Sequence, residues 1–381
     1  MSKLSNVSCY VTEKISVDSI DISEYITTDN LLQNKKGRVI AEKLPTQKVT
    51  RFKKNDILIA NIRPYLKKIW QADIDGGASS DVLVVRPNDV IDNNFLYYAL
   101  TQDSFFEYVM KGSKGTKMPR GDKSQIMDFV IPNLEIDEQI KIGKLLKSID
   151  QKIQINNQIN QELEAMAKTI YDYWFVQFDF PDQNGKPYKS SGGKMVYHPE
   201  LKREIPEGWG VESVGNLLDK VTKAEKIENN SIEFIGEIPV IDQSQKYIAG
   251  FTNNEKALLQ PQDGHVIFGD HTRVVKYINF DYARGADGTQ VLISNNENIS
   301  NVLLYHMIED FDLSNYGYAR HFKFLKEKTV IVPDKEVSSK FETQANVIYE
   351  KIKNNIFENQ ELTQLRDWLL PMLMNGQVKV E

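Results

Sequence analysis

Lys152-Ile-Gln-Ile-Asn-Asn-Gln-Ile-Asn-Gln-Glu-Leu163 returns near the C-terminus as Lys351-Ile-Lys-Asn-Asn-Ile-Phe-Glu-Asn-Gln-Glu-Leu362, and this repetition decides how the chain is arranged. Around the first copy, Ile142, Leu146, Ile149, Ile153, Leu163, Ala167, Ile170 and Trp174 recur at steps of three and four, the heptad seam of one long helix over residues 137–174. Asn156 and Asn160 stand where apolar seam residues are due. A buried amide in a seam fixes register at some cost in stability. Laid on the second copy, the seam becomes Phe341, Ala345, Ile348, Ile352, Asn355, Asn359, Leu362 and Leu369, with asparagine on asparagine. Each helix is therefore expected to pair antiparallel with the other, Asn156 against Asn359 and Asn160 against Asn355, closing amide hydrogen bonds inside the seam. A neighbouring row, Leu145, Ile159, Met166 and Tyr173, widens the apolar stripe toward a further surface.

Working outward, residues 1–135 carry a mixed pattern. Asp56-Ile-Leu-Ile-Ala60, Val82-Leu-Val-Val85 and Phe129-Val-Ile-Pro132 read as strands, with short helices at 95–100 and 105–110. Ahead of the last strand, Lys111-Gly-Ser-Lys-Gly-Thr-Lys-Met-Pro-Arg120 is a basic glycine loop without a negative charge. Residues 178–193, rich in Gly, Pro and Ser, read as a connector. The plan then repeats: His265-Val-Ile-Phe268, Gln290-Val-Leu-Ile293 and Val330-Ile-Val-Pro333 answer the three strands, and Gly317-Tyr-Ala-Arg-His-Phe-Lys323 stands where the first glycine loop stood. The expected fold class is α+β. Two similar mixed α/β domains, at 1–135 and at 178–335 with its connector, are separated and followed by helices at 136–177 and 336–376 that form an antiparallel coiled coil, a pseudo-two-fold internal repeat.

Composition limits the partners. With 381 residues, 41% hydrophobic and 26% charged, the chain can bury two real cores as an ordinary soluble protein. No apolar run reaches transmembrane length and no signal peptide opens the chain, so no membrane role is expected. The single Cys9 excludes an internal disulfide and a multi-cysteine zinc site, which fits the cytoplasm. The net charge of −6 is the wrong global sign for a nucleic-acid binder, so such binding needs locally concentrated cations.

The order domain, helix, domain, helix resembles the DNA specificity (S) subunits of type I restriction-modification systems. The resemblance is carried by Asn61-Ile-Arg-Pro-Tyr-Leu-Lys-Lys68, Phe178-Asp-Phe-Pro181, Ser191-Gly-Gly193, Ile205-Pro-Glu-Gly-Trp209, Gly269-Asp-His-Thr-Arg273 and Gly317-Tyr-Ala-Arg-His321, and covers most of the chain. It implies that each globular domain is a target recognition domain reading one half of a bipartite site on double-stranded DNA. The helices would set the gap and dock two methyltransferase (M) subunits, with restriction (R) subunits joining the complex. It also implies no catalysis and no cofactor in this subunit: S-adenosylmethionine belongs to the M subunits, ATP and Mg to the R subunits. Two departures stand out. The first domain lacks a Pro-Glu-Gly-Trp opening like that at 206–209, and Arg366 occupies a seam position.

Lys and Arg beside glycines let side chains and backbone amides approach phosphates, and Arg, Lys, Asn, Gln, Ser and Thr can read base edges in the major groove. The candidate DNA contacts are therefore Lys111, Ser113, Lys114, Thr116, Lys117 and Arg120 in the first loop, with Arg63, Lys67 and Lys68 at the preceding strand exit. In the second domain they are Tyr316, Tyr318, Arg320, His321 and Lys323, with His271, Thr272 and Arg273. Each alone also reads as a solvated surface charge, and Pro64 and Tyr65 as packing.

Catalytic readings find little support. No Asp-Pro-Pro-Tyr or Asn-Pro-Pro-Phe methyltransferase segment and no Gly-x-x-x-x-Gly-Lys-Ser/Thr loop is present. Pro181, Asp182, Glu200 and Lys202 match a loose nuclease signature, but prolines at 187, 199 and 206 are expected to make this stretch a connector rather than paired strands. The histidines and Cys9 show no metal-ligand spacing beyond His265 and His271, so no metal is expected. Two rival classes remain, a nuclease using Asp182, Glu200 and Lys202, and a coiled-coil interaction protein that binds no DNA. Metal-dependent nicking would reveal the first, and absence of salt-sensitive DNA binding the second.

Overall fold

The computed structural model describes every residue except Thr116, Lys220, Thr222, Lys223, Tyr318, Ala319 and Glu381, and the side chain of Tyr316. The chain divides into two compact units, one made of Met1–Ile155 with Glu358–Glu381 and the other of Asn156–Phe357. Both long helices, Ile136–Tyr171 and Lys335–Met374, contribute to both units.

The first unit is built on a four-stranded antiparallel sheet in the order Ser8–Tyr10, Val82–Pro87, Ile57–Ala60, Ile69–Gln71. Side chains alternate across a strand. Ile57 and Ile59 thus join the core formed with Phe95, Leu96, Phe105 and Phe106, while Leu58 and Ala60 join Phe52, Trp70 and Ala78 on the opposite face. Burial on both faces is why this run reads as continuously apolar. Helices Asn93–Thr101 and Asp103–Lys111 cover the first face. A smaller sheet of Lys14–Ile15, Val49–Phe52, Gly76–Ala78 and Tyr25–Ile26 covers the second. Ser2–Lys3 pairs with Val130–Ile131, tying the first strand to the last.

The second unit repeats these pairings. Its antiparallel sheet runs Val275–Ile278, His265–Gly269, Thr289–Leu292. Val266 and Phe268 face Leu303 and Leu304, while Ile267 faces Ile241 and Tyr282 of a second, four-stranded sheet formed by Gly250–Thr252, Ile238–Ile241, Tyr282–Arg284 and Leu258–Leu259. Gly210–Ser213 pairs with Thr329–Val332, again first strand with last. Just ahead of that first strand, Trp209 donates its indole N–H to Asp334 (3.1 Å), whose other oxygen caps the second long helix through the Val337 N–H (2.9 Å).

The long helices run antiparallel within each unit. In the first, Lys141 reaches the Val380 carbonyl, Asp150 binds Arg366 (2.7 Å) and Lys152 binds Glu358 (3.2 Å). Ile142 and Leu146 are fully buried in the same core as Leu370, Leu373 and Met374. In the second unit Asn355 donates to Asn160 (2.8 Å), the expected seam bond, and Ala167 and Trp174 pack with Phe341, Ala345, Ile348 and Ile352. Ile153, Leu163 and Leu362 are half-buried, and Asn156 and Asn359 each engage a partner. Arg366 sits in its seam position because Asp150 faces it, and Tyr98 donates to the same carboxylate (2.7 Å). Burial alone would lower the Arg366 pKa, but Asp150 and Asp367 outweigh it and raise it.

Three expectations need correction. The first helix does not run as an α-helix to Trp174: Asp172–Val176 form a π turn closed by Gln177 N–H on the Asp172 carbonyl (2.9 Å). The wider turn lets the consecutive Trp174 and Phe175 both be buried. The prolines do not prevent paired strands, since Met195–His198 pairs with Arg203–Pro206. Pro199 lies in the turn and Pro206 at the strand end, where a missing N–H is tolerated. Finally, the glycine loops do not lead straight into the last strands, because helices Lys123–Met127 and His321–Lys326 intervene. His321 and Lys323 are therefore helical rather than loop residues.

Candidate nucleic-acid interface

In each unit the central strand exits into a residue whose backbone ties neighbouring loops together. In the first unit this is Asn61. Its N–H donates to the Asp81 carbonyl (2.8 Å), and its carbonyl accepts from Gly121 N–H (3.2 Å), at the end of the basic glycine loop. Arg63 N–H donates to Pro119 (2.8 Å), and Lys114 and Arg120 exchange backbone bonds (2.9 Å each), so the loop is a closed hairpin held against the strand exit. In the second unit Asp270 holds the same station. Its N–H donates to Gly288 (2.7 Å), its carbonyl accepts from His321 N–H (2.9 Å), and its carboxylate accepts from Phe322 N–H (2.8 Å), capping the helix that begins at His321.

Each exit also carries an arginine in the left-handed region, Arg63 (φ 53°) and Arg273 (φ 64°). Such backbone is costly for a residue with a side chain and concentrates at functional sites. Both arginines are exposed.

The candidate residues divide by what they touch. Lys111 and Lys117 are exposed and form no ion pair among the described residues. Lys114 and Arg120 are exposed but lean on Asp122 (3.3 Å) and Asp81 (3.1 Å), and the Ser113 hydroxyl donates to the Met110 carbonyl (2.8 Å). Lys67 binds Asp103 (2.9 Å), and the Lys68 ammonium donates to the Thr28 carbonyl, which ties both to the protein itself. Burial lowers the Lys68 pKa, with Asp29 opposing. The Asp122 carboxyl is held well below the usual carboxylate range, first by the Ser124 hydroxyl and then by Gln125 N–H and Lys114. For Asp103 burial acts upward, but Lys67 and Lys35 outweigh it and hold the carboxyl low.

In the second unit His271, Thr272, Arg273, Arg320 and Lys323 are exposed, whereas His321 is buried, with only 4% of its surface accessible. Thr116, Tyr318 and the Tyr316 side chain lie outside the described residues. Asp270 brings the exit segment and the 320–323 segment together; Arg63 and Pro119 do the same in the first unit.

Sequence reasoning missed the anchors Asn61 and Asp270, and also Gln243. The Gln243 side chain donates to the Asp287 carbonyl (2.8 Å) and accepts from His271 N–H (3.1 Å), while its carbonyl accepts from Thr272 (2.6 Å), joining three loops. No local signal marks Gln243. It also missed residues 34–40, although Lys35-Lys36-Gly37-Arg38 has the basic glycine composition of the loop that was found.

The nuclease-like set is not assembled as a metal site. Asp182 accepts from Asn184 and Lys186 N–H in its own turn, while Glu200 and Lys202 lie in the hairpin turn. His265 hydrogen-bonds the Tyr282 hydroxyl (3.0 Å). Among the described residues, no group of His, Cys, Asp or Glu is placed to hold a metal, and no helix is long and apolar enough to cross a membrane.

Residues 11–165 match the family model for the type I restriction modification DNA specificity domain. The specificity subunit of the type I restriction enzyme MjaIX from Methanocaldococcus jannaschii is 25% identical over 326 residues, covering 78% of this chain and 72% of that protein. The HindI specificity subunit from Haemophilus influenzae is 23% identical, and the match spans 98% of both proteins. Among solved structures, the type I restriction-modification system S subunit from M. genitalium aligns over 98% of this chain and 95% of its own, with a TM-score of 0.59 at 17% identity, a likeness of fold. The family model over residues 11–165 and both relatives are those of type I restriction-modification specificity subunits, which this chain resembles in sequence along its length.

Proposed function

We propose that this chain, as a non-catalytic specificity subunit, reads a bipartite duplex DNA site, one half with each recognition domain (residues 1–135 and 178–335). The helical segments 136–177 and 336–376 act as an antiparallel coiled-coil spacer that docks two M subunits, with R subunits joining through the complex. Methyl transfer from S-adenosylmethionine and ATP- and Mg-dependent cleavage belong to those partners. The observation that carries this reading is the repeated strand exit: in both units a left-handed, exposed arginine lies beside an exposed basic segment that one anchor residue ties to the central strand. Such cations can approach phosphates and base edges despite the net charge of −6.

The test is to assemble the protein with its M subunit and sequence the methylated sites. A two-part motif with a fixed gap is expected, with duplex affinity falling steeply as salt rises. A single continuous motif, or binding indifferent to salt, overturns the reading. The spacer role has its own test. Inserting four residues after Glu162 advances the helix by roughly 6 Å and turns it only ~40°, a stutter that a seam absorbs. The two half-sites should persist while the gap lengthens by about one or two base pairs, given roughly 3.4 Å per step. An unchanged gap in an active variant would mean that this helix does not set it.

A further inference from the structure

The first unit presents a second basic projection beside its strand exit, in the hairpin Asn34–Ile40. Leu31 and Arg38 pair across it, Leu32 N–H donates to Gly37 (2.8 Å), and the Asn30 side chain ties its base through Thr27 N–H and the Tyr25 and Val39 carbonyls. Arg38 lies over the Trp70 ring (4.7 Å) and donates to the Ser23 carbonyl (2.7 Å). The tip is pinned to the exit loop: Asn34 N–H donates to Leu66 and Lys35 N–H to Lys67 (2.9 Å each). Lys35 and Lys67 also share Asp103.

This well-bonded hairpin is also strained at its tip and exposed along one edge. Asn34 (φ 56°) and Lys35 (φ 63°) hold left-handed backbone. Lys36 is exposed and has no ion pair among the described residues. Val39 and Ile40 expose 50% and 63% of their surface. From Asn30 to Ala41 the chain has three cations and no acid, in a protein whose net charge is −6. An exposed β-branched pair framed by cations complements a surface that is anionic at its edge and carries methyl groups within. The major groove of DNA offers this, with phosphates at the rim and thymine 5-methyl groups inside.

We infer that the hairpin Asn34–Ile40 is a further DNA-reading element, with Lys36 contacting a phosphate of the first half-site and Val39 and Ile40 contacting thymine methyl groups. This rests on the DNA-reading function proposed above.

The test uses the assembled complex with its M subunit and a duplex carrying the mapped site. Lys36→Gln should lower the slope of log affinity against log salt by about 0.9, one phosphate contact. For Val39 and Ile40 the probe is the duplex itself. Uracil in place of thymine across the first half-site should weaken the wild-type complex by about fourfold per methyl lost. The V39S/I40S double variant should bind thymine and uracil duplexes equally. Because these side chains are exposed, the variants should fold and assemble as wild type. A wild-type complex that ignores the mapped site overturns the DNA-reading function itself. A wild-type complex that binds it, with variants of unchanged slope and thymine preference, overturns only the role of the hairpin. Variants that lose the M subunit while keeping thymine preference would also overturn it, by marking the hairpin as a protein contact.

Discussion

Asn61 and Asp270 hold the same place in their units and the same two backbone bonds, yet their side chains do different work. Asp270 is buried and its carboxylate caps a helix across the chain at Phe322. The Asn61 amide oxygen has no donor among the described residues, and the matching helix is capped locally by Asp122 through Ser124 and Gln125 N–H. The residues that donate to these anchors differ in size as well. A Cβ on Gly121 would lie 2.9 Å from the Asn61 side chain and from Val109 and 3.0 Å from Ile126, whereas the second unit buries a whole imidazole at His321. The scaffold thus fixes main-chain bonds and leaves side chains to diverge, so that one frame carries two different exposed surfaces.

The largest expected effect follows from that difference. Asp270→Ala removes a cap and leaves a helix N–H unpaired, so it should destabilise the second unit by about 2 kcal/mol. Asp270→Asn, which imports the residue of the first unit and keeps an acceptor, should recover most of this in thermal unfolding. Equal damage from both would mean that the charge rather than the acceptor matters, and would break the equivalence of the two anchors.

Gly121→Ala comes next, at about 1–2 kcal/mol, because the added methyl crowds Asn61, Val109 and Ile126. It should also weaken DNA binding by the assembled complex, since Gly121 holds the end of the basic loop. Wild-type stability in a melting experiment would show that this junction has slack. Asn61→Ala should cost only ~0.5 kcal/mol, as its buried oxygen contributes no bond to lose. A loss matching that of Asp270→Ala would show that the Asn61 side chain does carry structure.

The smallest effect is local and depends on pH. The Asp122 pKa is lowered in the folded protein, chiefly by the Ser124 hydroxyl, so its cap contributes stability above the unfolded value near ~4. That contribution is lost as pH falls from there through the folded value. Amide exchange at Ser124 and Gln125, corrected for intrinsic rates, should be unchanged between about pH 7 and 5 and rise only below ~4. Loss of protection already at pH 6 would assign the cap to another group.

What was legible in the sequence was periodic. The helix seams, the strand runs at 57–60 and 82–85 and the duplicated frame announce themselves because burial repeats with the geometry of the element. What stayed hidden depends on partners distant in sequence. His321 beside Arg320 reads as a surface reader, but a helix starts there because Asp270 caps it, and the ring turns inward. Arg366 reads as a flaw in the seam until Asp150 is seen opposite it. Lys67 and Lys68 read as free cations, yet Asp103 and the Thr28 carbonyl occupy them. Composition showed where positive charge lies along the chain, but not which cations the fold already engages.

The split membership of the first unit also bears on how the protein is made. Ile142 and Leu146 share their core with Leu370, Leu373 and Met374, so that core is complete only once the segment around residues 370–374 has been synthesised. The second unit, contiguous from Asn156 to Phe357, meets no such delay. Assembly during translation should therefore complete the second unit before the first, against the usual N-terminal-first order. Nascent chains stalled with Phe357 just clear of the exit tunnel should resist proteolysis within the second unit while residues 1–155 remain open to cleavage.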